Sequence, residues 1–212
     1  MNALDRAGLV YEVRAPGVGE AGGTTIALGG THTDEARLAE LARATAPDHR
    51  VVLPEPLRFL YLSRDHVGRR WYVTSIDGEI EPATFGDALY AVEQLAIAAH
   101  ETWDRPPLLI GHGQGGELAL ALALLMPDML AGVAAVGATI PQVPGWERPD
   151  RAAGGLPVLL VPAHGDDVAA ARTHDELAAI GAHVATSSAV PAADALEPSL
   201  DPVVARWWRD AA

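Results

Sequence analysis

The sequence predicts an α/β fold, with a mostly parallel central sheet covered by helices on both faces and minimal or no lid. Three observations predict it. Short apolar runs alternate with segments of helical period along the chain. One such run, Pro107-Leu108-Leu109-Ile110, passes through a glycine-rich turn at 111–116 into Glu117–Met126, a stretch of strong helix formers stopped by Pro127. The 212 residues, 49% of them hydrophobic, suffice to bury one sizeable core, so a single domain over 1–212 is expected.

The elements follow in order. Residues 8–14 read as an edge strand, and Thr24–Leu28 as a buried strand running into the loop Gly29-Gly30-Thr31-His32-Thr33-Asp34. A helix from Asp34 to about Ala46 and a strand Arg50–Leu53 come next. The segment Pro54–Pro82 reads as a loop-rich excursion of the kind that carries binding surfaces. Thr84, with Asp87 three residues on, has the spacing of a helix N-cap, and the apolar pattern continues to Trp103. Beyond the glycine-rich turn, Leu130–Val136 is a strand, 140–155 a Pro/Gly-rich connection and Val158–Val161 a buried strand. Thr173 opens a further helix, Ala182–Ser187 is the last strand, and a closing helix ends on Trp207-Trp208. In such sheets ligands sit at the carboxyl ends of the strands.

Charge and composition narrow the partners. Against 15 Lys plus Arg stand 28 acidic residues, a net charge of −13, which argues against nucleic acid and anionic membranes and for small molecules or proteins. With no cysteine, disulfides, thiol nucleophiles and thiolate metal sites are excluded. The histidines are scattered without metal-site spacing, so no metal or cofactor is expected. The start at 1–6 lacks an export signal, which predicts a cytoplasmic protein. The Ala-rich, Lys-poor composition suits a high-GC bacterial gene in a specialised biosynthetic pathway.

The turn Gly111-His112-Gly113-Gln114-Gly115-Gly116 has the form of the G-x-S-x-G nucleophile elbow, with Gly113 where the serine would stand. The segment 28–35, Leu-Gly-Gly-Thr-His-Thr-Asp-Glu, resembles the oxyanion-loop pattern L-H-G-x-G-G-D-E of the small phospholipase/carboxylesterase branch of the α/β-hydrolases. Gly29 there replaces the family's histidine and His32 one of its glycines. Gly68-Arg69-Arg70-Trp71-Tyr72 resembles the family's aromatic segment beside the acyl pocket, and 111–116 its G-[FHY]-S-Q-G-G elbow. The resemblance covers nearly the whole chain and implies an α/β-hydrolase fold, on which hydrolases, lyases, oxygenases and binding proteins all occur.

By that resemblance the catalytic triad is degenerate. Glycine at 113 offers no group to attack a carbonyl. The acid position falls in Pro162-Ala163-His164-Gly165-Asp166-Asp167-Val168, where Asp166 or Asp167 is an acid relic or an ordinary loop residue. The family's G-G-H pattern before the closing helix is replaced by Pro191-Ala192-Ala193-Asp194, with no histidine after His183. Loss of nucleophile or base costs roughly 10⁶ in turnover, while an oxyanion hole retains about 10³ to 10⁴ over water. The resemblance implies that the amides of Thr31 and Gln114 still converge on one point.

Two histidines remain near that point. His32 is the best available acid/base, or a solvated loop residue; His112 is structural beneath the elbow, or catalytic. Arg58, Arg64, His66, Arg69 and Arg70 could receive an anion, or pair with acids such as Glu55 and Asp65. Trp71 and Tyr72 wall a substrate pocket, as the resemblance implies, or staple the excursion to the core. An exposed tryptophan at 207 or 208 would point to a homodimer.

Three functions follow. One is a non-covalent catalyst of proton transfer, elimination, cyclisation or rearrangement on a small carbonyl compound. Another is a pseudohydrolase that binds an apolar or acyl ligand, or a protein. The third is a weak hydrolase that activates water with Asp194 or the Asp166/Asp167 carboxylates.

Overall fold

The computed structural model describes residues 3–63, 66–148, 151–187 and 196–211. Among the described residues nine strands and five α-helices follow in the order β1 (Tyr11–Arg14), β2 (Gly23–Leu28), α1 (Glu35–Thr45), β3 (His49–Pro54), β4 (Arg58–Ser63), β5 (His66–Arg70), α2 (Pro82–Trp103), β6 (Leu108–His112), α3 (Gln114–Leu125), β7 (Gly132–Val136), β8 (Pro157–Val161), α4 (Asp167–Ala179), β9 (His183–Thr186) and α5 (Asp201–Ala211). Seven strands form one sheet in the order β1-β3-β2-β6-β7-β8-β9. Every pairing in it is parallel except that of the edge strand β1 with β3.

Strand alternation divides the core into two layers. Ile26, Leu28, Leu109, Val133 and Leu160 face a layer that includes Val92 and Leu95 of α2, Leu118 and Leu122 of α3 and Leu177 of α4. Ala27, Leu108, Ile110, Ala134 and Leu159 face the opposite layer, with Leu38 and Leu41 of α1 and Val204 of α5. Strands buried on both faces read as continuous apolar runs, which is why β6 to β8 were legible. Trp207 and Trp208 are both half-buried. Trp208 lies edge-on to the His49 ring, with centroids 6.0 Å apart.

Three expectations are corrected. The excursion after β3 contains an antiparallel hairpin, β4 with β5, forming its own two-stranded sheet. Its charged residues hid a strand-like pattern. The second helix begins at Pro82 and is capped by Glu81, whose carboxylate accepts from the Ala83 and Thr84 amides at 3.3 and 2.7 Å. A proline at the first helical position lacks the N–H that would go unpaired there, so this start outcompetes Thr84. The Thr84 hydroxyl instead accepts from the Val73 amide at 3.0 Å. Finally, α4 starts at Asp167, leaving Thr173 buried within it, where its hydroxyl accepts from the Ile140 amide at 3.0 Å.

Candidate functional site

β2 and β6 are parallel neighbours, with Leu28 opposite Gly111, so the loop after β2 and the turn after β6 emerge side by side at their carboxyl ends. At that turn Gly113 has φ 55° and ψ −125°, a conformation that strains any residue with a Cβ. Its amide donates to the Val136 carbonyl at 3.0 Å, and its carbonyl accepts the Glu117 amide at 3.0 Å as α3 begins. A Cβ at 113 would meet nothing nearer than the Gly30 Cα at 3.9 Å, so the space above the turn is open. Gly30 is the reverse case. A Cβ there would sit 2.8 Å from the His112 carbonyl oxygen and 3.2 Å from the Gln114 nitrogen, so the loop lies directly against the turn.

Hydrogen bonds lock these pieces. The Gly30 amide donates to the Thr33 hydroxyl at 2.5 Å, and that hydroxyl lies 2.8 Å from Nδ1 of His112. His112 is buried beneath the turn. Asp34 caps α1 by accepting from the Ala36 and Arg37 amides at 2.9 and 3.2 Å. The Gln114 side chain reaches the segment after β5: its Oε1 accepts from the Trp71 amide at 2.9 Å, and its Nε2 donates to the Tyr72 carbonyl at 3.1 Å. The Trp71 indole donates to the Gly29 carbonyl at 2.7 Å. Trp71 and Tyr72 are both 0% exposed, so they staple the hairpin to the core rather than present pocket surface.

Sequence reasoning missed Glu117. It stands one turn after Gly113 in α3, half-buried, and its carboxylate accepts from the Tyr72 hydroxyl. Burial, aided by the negative charge of Asp166, pushes its carboxyl up to about 7. The signal was a single acid opening the helix Gln114–Leu125 ahead of an unbroken apolar run. Asp166 and Asp167 are exposed at the start of α4, and of the two Asp166 is the one that acts on Glu117. Asp194 lies outside the described residues, as do Arg64 and Asp65.

A cleft of about 490 Å³ opens beside the loop, lined by Thr31, His32, Asp34, Glu55, Val67 and Arg69 among others. It runs toward β3 and the hairpin, away from Gly113. His32 is exposed at its mouth. Two arginines of the excursion are paired, Arg69 with Glu55 at 2.7 Å and Arg58 with Asp87 at 2.7 Å, whereas Nε of Arg70 is buried without a hydrogen-bond partner among the described residues. No three His, Cys, Asp or Glu side chains gather as a metal site among the described residues, and none of their helices is long and apolar enough to cross a membrane.

With that geometry in place, solved structures supply the comparison. A carboxylesterase from Mesorhizobium loti superposes with a TM-score of 0.76 over 95% of this chain and 94% of its own, at 20% identity. A Bacillus cereus carboxylesterase gives 0.72 over 96% and 95%, at 14% identity. A Dyadobacter fermentans phospholipase/carboxylesterase gives 0.73 over 95% and 96%, at 13% identity. The fold is that of the α/β-hydrolases. No protein-family model matches the chain, and no curated protein sequence matches it.

Proposed function

We propose that this α/β-hydrolase-fold protein, one domain over residues 1–212, performs non-covalent acid–base chemistry on a small carbonyl-containing metabolite in the cytoplasm, without a cofactor. The observation that carries this reading is Gly113: the turn keeps its left-handed backbone and an open space above it, while the residue there has no group to attack with. Without a nucleophile, and with no histidine after His183, covalent ester hydrolysis is expected to fall by roughly 10⁶. What an esterase scaffold retains is a place to hold a developing oxyanion, here the amides of Thr31 and Gln114. His32, at the mouth of the adjoining cleft, is the group proposed to carry a proton to or from the bound compound.

A second reading is a pseudohydrolase that binds such a compound, or a protein partner, without chemistry. It is favoured by the isolation of His32, whose imidazole has no hydrogen-bond or ion-pair partner among the described residues to orient it.

The two readings separate in one experiment. Purified protein is incubated with a panel of small keto and hydroxy acids, ketones and thioesters, with NMR detection of product and thermal unfolding in parallel. Product that His32→Ala abolishes is the outcome expected of the catalyst. Thermal stabilisation without product is that expected of the binder. The double variant Gly113→Ser/Asp194→His tests the ancestry: recovered ester cleavage would confirm the positions of the lost triad, and continued silence would remove that support.

A further inference from the structure

We infer that the chain forms a homodimer through the open edge of its main sheet, with β9 of two copies paired antiparallel and their α5 helices facing each other across the join. The inference is independent of the proposed function.

The two edges of the seven-stranded sheet are unlike. β1 carries Glu12 and Arg14, which pair with each other at 2.9 Å, and charges on an edge resist the approach of another strand. β9 has no Lys, Arg, Asp, Glu or Pro, and among the described residues it pairs with β8 alone, in regular register. The amides of His183 and Ser187 donate inward to the Leu156 and Leu160 carbonyls, both at 2.9 Å. Backbone groups alternate in direction along a strand, so Val184 and Thr186 turn their N–H and C=O groups outward. A two-fold axis beside Ala185 lets Val184 of each copy exchange N–H and C=O bonds with the partner's Thr186. Ala185 then faces its own symmetry mate in the close, non-hydrogen-bonded register, where Cα atoms come within about 4.5 Å and a small side chain fits.

The groove beside this edge fits the same arrangement. It has a volume of about 820 Å³ and lies between β9 and α5, with Leu159, Ala185, Val203 and Trp207 among its apolar walls. Leu159 pairs with Ala185, so both side chains stand on the face of the sheet that α5 covers. Among the described residues its charged side chains are Arg206 and Asp210, one of each sign. A chain of net charge −13 is therefore locally neutral here, as the core of a protein interface requires. Arg206 and Asp210 are both exposed, stand four apart on α5, and have no ion-pair partner among the described residues. An axis perpendicular to the sheet keeps both α5 helices on one face and antiparallel, so Arg206 meets the partner's Asp210 on either side of the axis. β9 lies three strands from β6, which leaves the Gly113 turn and its cleft open in both copies.

Sedimentation velocity of the full-length protein over a concentration series tests this, and a mass of two chains is expected. Ala185→Lys, at an exposed position, sets two ammonium groups together at the axis and should raise the dissociation constant about 10²-fold. Arg206→Asp and Asp210→Arg each bring like charges together across the axis and should also weaken the dimer. An equimolar mixture of these two variants should associate again, because each then meets its opposite. Circular dichroism checks that every variant is folded, and hydrogen exchange read by NMR should find the Val184 and Thr186 amides protected in wild type but not in Ala185→Lys. A single-chain mass at every concentration overturns the proposal and leaves the groove to another occupant. A dimer that Ala185→Lys and both charge variants leave intact overturns it as well, by placing the contact on a different face.

Discussion

Glu117 carries a stability signature of its own, separate from any activity. Its carboxyl sits at about 7 when folded and near 4.5 when the chain is unfolded. Below 4.5 the group is neutral in both states and its burial is unopposed. As pH rises toward 7 only the unfolded state ionises, so folding stability is lost across that window. The full effect is about 3 kcal/mol, because each unit of difference is worth about 1.4 kcal/mol. Urea unfolding of wild type should show this decline between pH 4.5 and 7, and Glu117→Gln should flatten it. At Gly113 the backbone sets the outcome instead: a Cβ has room, but φ of 55° disfavours it. Gly113→Ala is therefore expected to fold and to lose about 1 kcal/mol in the same assay.

The loop after β2 and the turn before α3 act as one unit, because their backbones touch. Gly30→Ala would push a methyl against the His112 carbonyl at 2.8 Å, and both contact atoms are backbone with little freedom to yield. A loss of about 1 to 3 kcal/mol is expected, the range for overpacking, with faster amide exchange across 29–33. That these two segments converge was what the resemblance of 28–35 and 111–116 to the phospholipase/carboxylesterase motifs implied. The hairpin was harder to see, since β4 mixes Arg58 with Phe59 and Leu60 and is stabilised by a separate two-stranded ladder rather than by the main sheet. The α4 start was missed because Asp166 and Asp167 were read as an acid relic or loop residues, although Asp166 stands at the N-cap of α4, where it makes no side-chain cap bond. For Trp71 and Tyr72 the sequence left two roles open, a pocket wall or a staple to the core, because aromatic side chains serve both and burial is set by the fold. Only the fold shows that their polar atoms are spent on Gly29 and Glu117.

At the scale of the whole molecule the main sheet and the hairpin are tied by several polar links, and the Trp71 indole makes a buried one. The indole fills space against the core at 0% exposure, and its N–H ends on the Gly29 carbonyl at 2.7 Å, at the root of the loop that contacts Gly113. The ring and the N–H can be separated. Trp71→Phe keeps most of the apolar volume but leaves the buried Gly29 carbonyl without this donor, a loss of about 1 to 3 kcal/mol. If the indole only packs, the effect would be confined to the hairpin. If it also positions the loop, the Gly29–Thr33 amides should exchange faster than in wild type while those of β6 to β8 stay protected, because the sheet core does not depend on this bond. Hydrogen exchange read by mass spectrometry distinguishes the two. Accelerated exchange limited to 58–70, with 29–33 unchanged, would show that the hairpin and the loop are anchored independently.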